Sequence, residues 1–164
     1  MTNILAGHLA PSIRLNDTHG KTISLADCLK KGPVVAAFFK VSCPVCQYTF
    51  PFLERLHKAY GSERATFLGI SQDEAEDTLE FLSEYGITFP TLIEHSSYAV
   101  SNAYGLTNVP TVFLIGTNGK VIVGGTGFDK AILEKISSAL GKHLGKPPAV
   151  VFRSGENVPD NKPG

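Results

Sequence analysis

The chain has 164 residues with 15 basic and 15 acidic side chains, so no net field marks it for nucleic acid or an anionic membrane. That length suits one domain able to hide roughly 70% of its unfolded surface, and no run approaches the ~20 apolar residues of a membrane span. Met1–Gly7 lacks the positive segment and apolar stretch of a secretory signal, which sets the expectation of a cytoplasmic protein.

Ser12-Ile13-Arg14-Leu15 alternates, Asn16 to Lys21 supplies turn residues, and Thr22-Ile23-Ser24 resumes the alternation, which predicts an N-terminal β-hairpin. Ser24 caps a short helix through about Lys30, stopped by Gly32-Pro33. Val34 to Phe39 is apolar on both faces and predicts a central strand. From Pro44 to Tyr60, Phe50, Leu53, Leu56 and Tyr60 recur at helical spacing, with a kink expected at Pro51 and a stop at Gly61. Thr66 to Ile70 predicts a second buried strand. A helix capped by Ser71 or Asp73 then runs to Tyr85 and has the look of an insertion, its acidic face solvated.

Phe89 to Ile93 is extended, and Ser96 or Ser97 opens a helix ending near Gly105. Thr111–Ile115 and Val121–Val123 flank Asn118-Gly119, a strong hairpin signal. Gly124-Gly125-Thr126-Gly127 follows a hairpin strand rather than opening a nucleotide fold, so it reads as a bulge or turn. Phe128 to Leu140 predicts the last helix. Residues 1–140 thus form an α/β domain with a mixed central sheet flanked by helices. Residues 141–164 form a Pro/Gly-rich extension, in which Ala149-Val150-Val151-Phe152 is an apolar island able to dock.

Chemistry concentrates at Cys43-Pro44-Val45-Cys46, placed between a buried strand and a helix. The thiolate is the nucleophile in disulfide exchange, and the unpaired N–H groups at a helix N-terminus favour negative charge on Cys43. Cys46 follows one turn later; Cα atoms three apart on a helix lie about 5 Å apart, within disulfide range. Pro44 suits the first turn, where a missing N–H costs little. A zinc site would need a second Cys or His pair at compatible spacing, and the sequence offers none, so no metal is expected. Lys40, three residues before Cys43, is either a solvated strand-end side chain or a cation stabilising a thiolate. Cys28 reads as a small buried residue rather than a third redox thiol, and His57 as a surface or core-edge residue.

The pattern resembles the thioredoxin-like superfamily. Within it the chain is similar to the longer thiol–disulfide oxidoreductases related to alkyl hydroperoxide reductase and the thiol-specific antioxidant proteins. The resemblance spans about residues 8 to 140 and rests on Ala10-Pro11, the Cys43-Pro44-Val45-Cys46 motif, Tyr104-Gly105-Leu106, Val109-Pro110-Thr111 and the Asn118-Gly119-Lys120 turn. It implies a thioredoxin-like fold and a cis bond before Pro110, opposite the cysteine pair. That bond would present the Val109 backbone to an extended substrate. Ser42 stands where the family often has Trp, and Ala37 where thioredoxins carry a buried acid.

The resulting expectation is a thiol–disulfide oxidoreductase of the protein disulfide reductase type, with Cys43 and Cys46 cycling between dithiol and disulfide. No cofactor beyond that redox-active disulfide is expected. The partners would be disulfide-containing proteins or small thiols and an electron donor the sequence does not identify, the protein being a monomer or weak dimer. A peroxiredoxin-like peroxidase with Cys46 as the peroxide-reacting thiol is the alternative reading. Against it, no arginine lies near Val109, where that family supplies one. A non-catalytic thioredoxin-like binding domain is a third reading, but binding alone needs neither cysteine.

Overall fold

The computed structural model describes residues 4–62 and 64–164. Met1–Asn3, part of the stretch read for an export signal, lie outside them. Strands β1 (Arg14–Asp17), β2 (Thr22–Ser24), β3 (Val34–Phe39), β4 (Thr66–Ser71), β5 (Thr91–Ile93), β6 (Thr111–Ile115) and β7 (Val121–Thr126) build one mixed sheet. Its order is β2-β1-β5-β4-β3-β6-β7. β3 pairs parallel with β4 and antiparallel with β6. Helices α1 (Leu25–Leu29), α2 (Pro44–Tyr60), α3 (Ala75–Tyr85), α4 (Ala99–Ala103) and α5 (Lys130–Leu144) cover the two faces. Among the described residues, no helix is long and apolar enough to cross a membrane.

All six residues of β3 are buried because side chains alternate across a sheet covered on both sides. Val35, Ala37 and Phe39 meet Phe50, Leu53 and Leu56 of α2, Phe81 of α3 and Leu133 and Ile136 of α5. Val34, Ala36 and Phe38 meet Leu25 of α1, Val100 of α4 and Tyr104. Rings tie these layers together: Phe39 stacks against Phe50 at 4.3 Å and Phe81 at 4.8 Å. Cys28 packs on the opposite face of the sheet from the cysteine pair.

The first helices follow the sequence reading. The Ser24 hydroxyl accepts the Asp27 N–H at 3.1 Å and caps α1. α2 begins at Pro44 and continues through Pro51 to Tyr60, where the proline withholds the N–H that would have met the Gln47 carbonyl. α3 departs from expectation. Its N-cap is Glu74, with no side-chain cap, because Ser71 bonds the Asp73 N–H and the Thr78 hydroxyl while the Asp73 carboxylate turns to Val41. His57 sits between the Phe67 and Phe89 rings with its Nδ1 buried, and burial lowers its pKa.

The last helix also differs. Phe128–Asp129 form a short strand, β8, and Asp129 caps α5 through the Ile132 N–H. The helix passes Gly141 and ends at Gly145, whose φ of 68° is the left-handed conformation glycine adopts freely. Gly141 is an internal close approach rather than a stop: a methyl there would fall 2.8 Å from the Lys146 carbonyl oxygen.

The extension beyond α5 lies across α2 and α5. Val151 is buried, and Phe152 meets Phe52 at 5.1 Å and Phe128 at 6.1 Å. Tyr60 Oη accepts the Ala149 N–H, and Ser137 Oγ donates to the Ala149 carbonyl. Arg55 clamps the segment twice, donating to the Val151 carbonyl at 2.9 Å and forking onto Glu156 at 2.8 and 2.7 Å. A further strand, β9 (Asn161–Lys162), pairs antiparallel with β8.

The Arg55 fork, helped by the Arg153 N–H, holds the Glu156 carboxyl down at about 2, from an ordinary 4.5. A group whose folded pKa is depressed stabilises fully above its unfolded value and loses that contribution as pH falls toward the folded one. Amide exchange over residues 149–156 should therefore quicken as pH drops from about 4.5 toward about 2, beyond the intrinsic rate change. Glu156→Gln should lack this acid-dependent component; an unchanged profile would contradict the clamp.

Candidate active site

β3 delivers the chain to the head of α2 and β6 starts beside it, so Cys43 and Pro110 meet. Cys43 is the N-cap of α2, with extended φ and ψ of −83° and 114°. Its Sγ accepts the Cys46 N–H at 3.1 Å, taking the capping role usually filled by a side-chain oxygen. The same thiol donates to the Val109 carbonyl at 3.5 Å. The Val109–Pro110 peptide is cis. Pro44 occupies the first turn and is exposed, Val109 is half-buried, and Pro110 is buried.

Both cysteines are free thiols, and their surroundings differ sharply. Cys43 is partly exposed, whereas Cys46 is 0% exposed. Burial pushes the Cys46 thiol far above its ordinary range, and its hydrogen bond to the Cys43 sulfur adds to the effect. The Asp73 carboxylate raises it further, while the Lys40 backbone hydrogen bond opposes.

The Lys40-Val41-Ser42 loop is held from three sides. The Lys40 carbonyl accepts the Cys43 N–H at 3.2 Å. Asp73 accepts the Val41 N–H at 2.8 Å, and Gln47 Nε2 donates to the Val41 carbonyl at 2.9 Å. The Lys40 side chain is exposed and lines a groove of about 380 Å³ with Cys43, Gln72, Asn102, Asn108 and Val109. Behind that groove Gln72 Nε2 donates to Ser101 Oγ at 2.9 Å, and Ser101 donates its N–H and hydroxyl to buried Glu94. Burial raises the Glu94 pKa against those two donors. Among the described residues, no three His, Cys, Asp or Glu gather as a metal site.

Each site residue named from sequence thus lies at one edge of the domain. Sequence reasoning does not find Asp73, which reads as a helix cap but fastens the loop before Cys43. The available signal was topological: Asp73 follows the C-terminal end of β4, beside the C-terminal end of β3 that carries Cys43, and ligand sites in open α/β sheets gather there.

A mixed sheet whose central strand feeds a Cys-x-x-Cys helix opposite a cis-proline defines a thioredoxin-fold thiol–disulfide oxidoreductase. The thioredoxin domain of a thiol-disulfide oxidoreductase from Bacteroides vulgatus superposes with a TM-score of 0.75, at 21% identity, covering 84% of this chain and 99% of that domain. The AhpC/TSA family model matches residues 6–123, and the chain belongs to that family. It is 33% identical over 140 residues to the thiol-disulfide oxidoreductase ResA of Geobacillus thermodenitrificans (strain NG80-2), covering 84% of this chain and 79% of that protein. To ResA of Bacillus subtilis (strain 168) it is 32% identical over 126 residues, covering 76% and 69%.

Removing the Asp73 carboxylate frees the Val41 N–H and loosens the loop before Cys43. Asp73→Ala should lower unfolding stability by about 1–3 kcal/mol, the cost of stripping a charged acceptor from a partly buried donor. Urea unfolding checks this; an unchanged midpoint and slope would show that the clamp contributes nothing.

Proposed function

We propose that the protein reduces disulfides in other proteins, with Cys43 as the attacking thiol and Cys46 as the resolving one. The observation that carries this is the asymmetry of the pair. Cys43 reaches the surface and accepts an N–H at the helix start, while Cys46 is sealed beneath it and held protonated. The Cys43 thiolate attacks one sulfur of the substrate disulfide and expels the other as a thiolate, which takes a proton. The mixed disulfide then sits above Cys46, whose thiol loses its proton and attacks the Cys43 sulfur. The second substrate thiol leaves, and the Cys43–Cys46 disulfide remains. Two electrons pass to the substrate, and a dithiol donor returns two to the enzyme.

Three features support a protein substrate. Val109 presents its backbone beside Cys43, where an extended segment can pair with it. A groove runs past Cys43 along Asn102, Asn108 and Val109, with Gly164 as one wall. Disulfide exchange is the reaction for which the ResA relatives are named. Burial of Cys46 also argues against peroxide attack there, because the reacting thiol must be a thiolate within reach of solvent.

Cys43→Ser should abolish insulin reduction. Cys46→Ser should accumulate a mixed disulfide between Cys43 and substrate, visible by mass spectrometry under non-reducing conditions. The opposite assignment, or peroxide consumption that depends on Cys46 alone, would contradict the scheme.

A further inference from the structure

One segment of the fold has no part in the exchange chemistry just described, yet it ends against the reacting backbone. Residues 161–164 run along β8 and then over the Val109–Pro110 turn. Asn108 Nδ2 donates to the Gly164 carbonyl at 3.2 Å, and Gly164 forms one wall of the groove that holds Cys43. The contact is backbone on backbone: a methyl on Gly164 would fall 2.5 Å from the Val109 carbonyl oxygen. That oxygen also accepts the Cys43 thiol.

The opposing surface is shaped to receive this segment. Gly127 has a φ of 76°, and a methyl there would lie 2.3 Å from the Lys162 carbonyl oxygen. Its N–H donates to the Pro110 carbonyl at 2.7 Å. One glycine therefore buttresses the proline turn and leaves room for the segment to pass, which accounts for the last glycine of the Gly124–Gly127 run.

The hold on this segment is graded. Upstream, Val151 is buried and Glu156 is clamped by Arg55. Downstream, residues 161–164 keep a two-residue ladder, the Asn108 bond and the Lys162 ammonium 4.9 Å from the Tyr48 ring centre. Two-residue ladders at a surface open at little cost.

We infer that residues 161–164 form a displaceable strap over the Val109 docking edge, anchored through Val151 and Glu156. The strap is a specificity element for the exchange reaction. An extended polypeptide must lift it to pair with Val109, whereas a small disulfide reaches Cys43 without doing so. The apparent affinity for a protein disulfide is then reduced by the fraction of molecules with the strap lifted. This inference rests on the proposed reading of Cys43 as the attacking thiol.

The test compares the full chain with a form ending at Asp160, each reduced beforehand, against insulin and hydroxyethyl disulfide. Removing the strap should raise kcat/KM for insulin about tenfold and leave hydroxyethyl disulfide within about twofold. Equal changes with both substrates, no change, or a fall with insulin would overturn the strap. In parallel, Cys46→Ser is trapped as a mixed disulfide with a cystine-bridged peptide and followed by hydrogen exchange. Faster exchange at Asn161 and Lys162 in the trapped form supports displacement; retained protection overturns it, and this arm needs no truncated protein. Insulin reduction persisting in full-chain Cys43→Ser would instead defeat the underlying catalytic reading, independently of the strap.

Discussion

The ladder between β3 and β6 pairs Phe38 with Thr111 and Ala36 with Phe113. Because the pairing is antiparallel, the end of one strand lies beside the start of the other. The residues just after β3 lead to Cys43, and the residues just before β6 are Val109 and Pro110. A slip of one residue would reverse which face each side chain enters. It would turn Phe39 out of the α2 core and Phe38 out of the layer that holds Tyr104 and Phe113. Burial on both faces therefore sets the register, and the register sets the cysteine beside the proline turn. The hydrogen bond from the Cys43 thiol to the Val109 carbonyl is the local consequence.

From that placement the chemistry divides between the two sulfurs. One N–H of α2 meets the Cys43 sulfur, and the helix end that supplies it has no other use for the donor. Cys46, on the inner side of the same turn, lies among the apolar residues of the larger core. Ala37 lies on β3 at the position where the resemblance leads one to expect a buried acid, and the charge near Cys46 comes instead from Asp73 beyond the neighbouring strand. That carboxylate also fastens the loop before Cys43, so one side chain couples the shape of the site to the protonation of its buried thiol.

Much of this was legible in the residues because local and global signals agree. Val34–Phe39 is apolar throughout, which suits a strand covered on both faces, and Pro44 and Gly61 bracket α2 with the usual chemistry of helix ends. The cysteine pair and Val109-Pro110 are motifs whose spacing survives in one dimension. Other features were hidden for identifiable reasons. Asp73 has the composition of a cap, and only its distant partner Val41 shows its use. Gly141 resembles a helix stop, but its missing side chain makes room for the chain returning from Gly145. The course of residues 146–164 depends on Tyr60, Arg55 and Phe128, which lie far away in sequence. Gly127 reads as a turn residue and also serves as a close approach for that returning segment.

All of this requires that Cys43 and Cys46 join and separate reversibly as one two-electron couple. Equilibration in a series of glutathione buffers, followed by acid quench and peptide mass spectrometry, measures it directly. The account predicts a single two-electron transition, with the mass loss of two hydrogens confined to the peptide carrying Cys43 and Cys46 and with Cys28 remaining a thiol. If no poise links these two sulfurs, or if Cys28 is an obligatory partner, the account is contradicted.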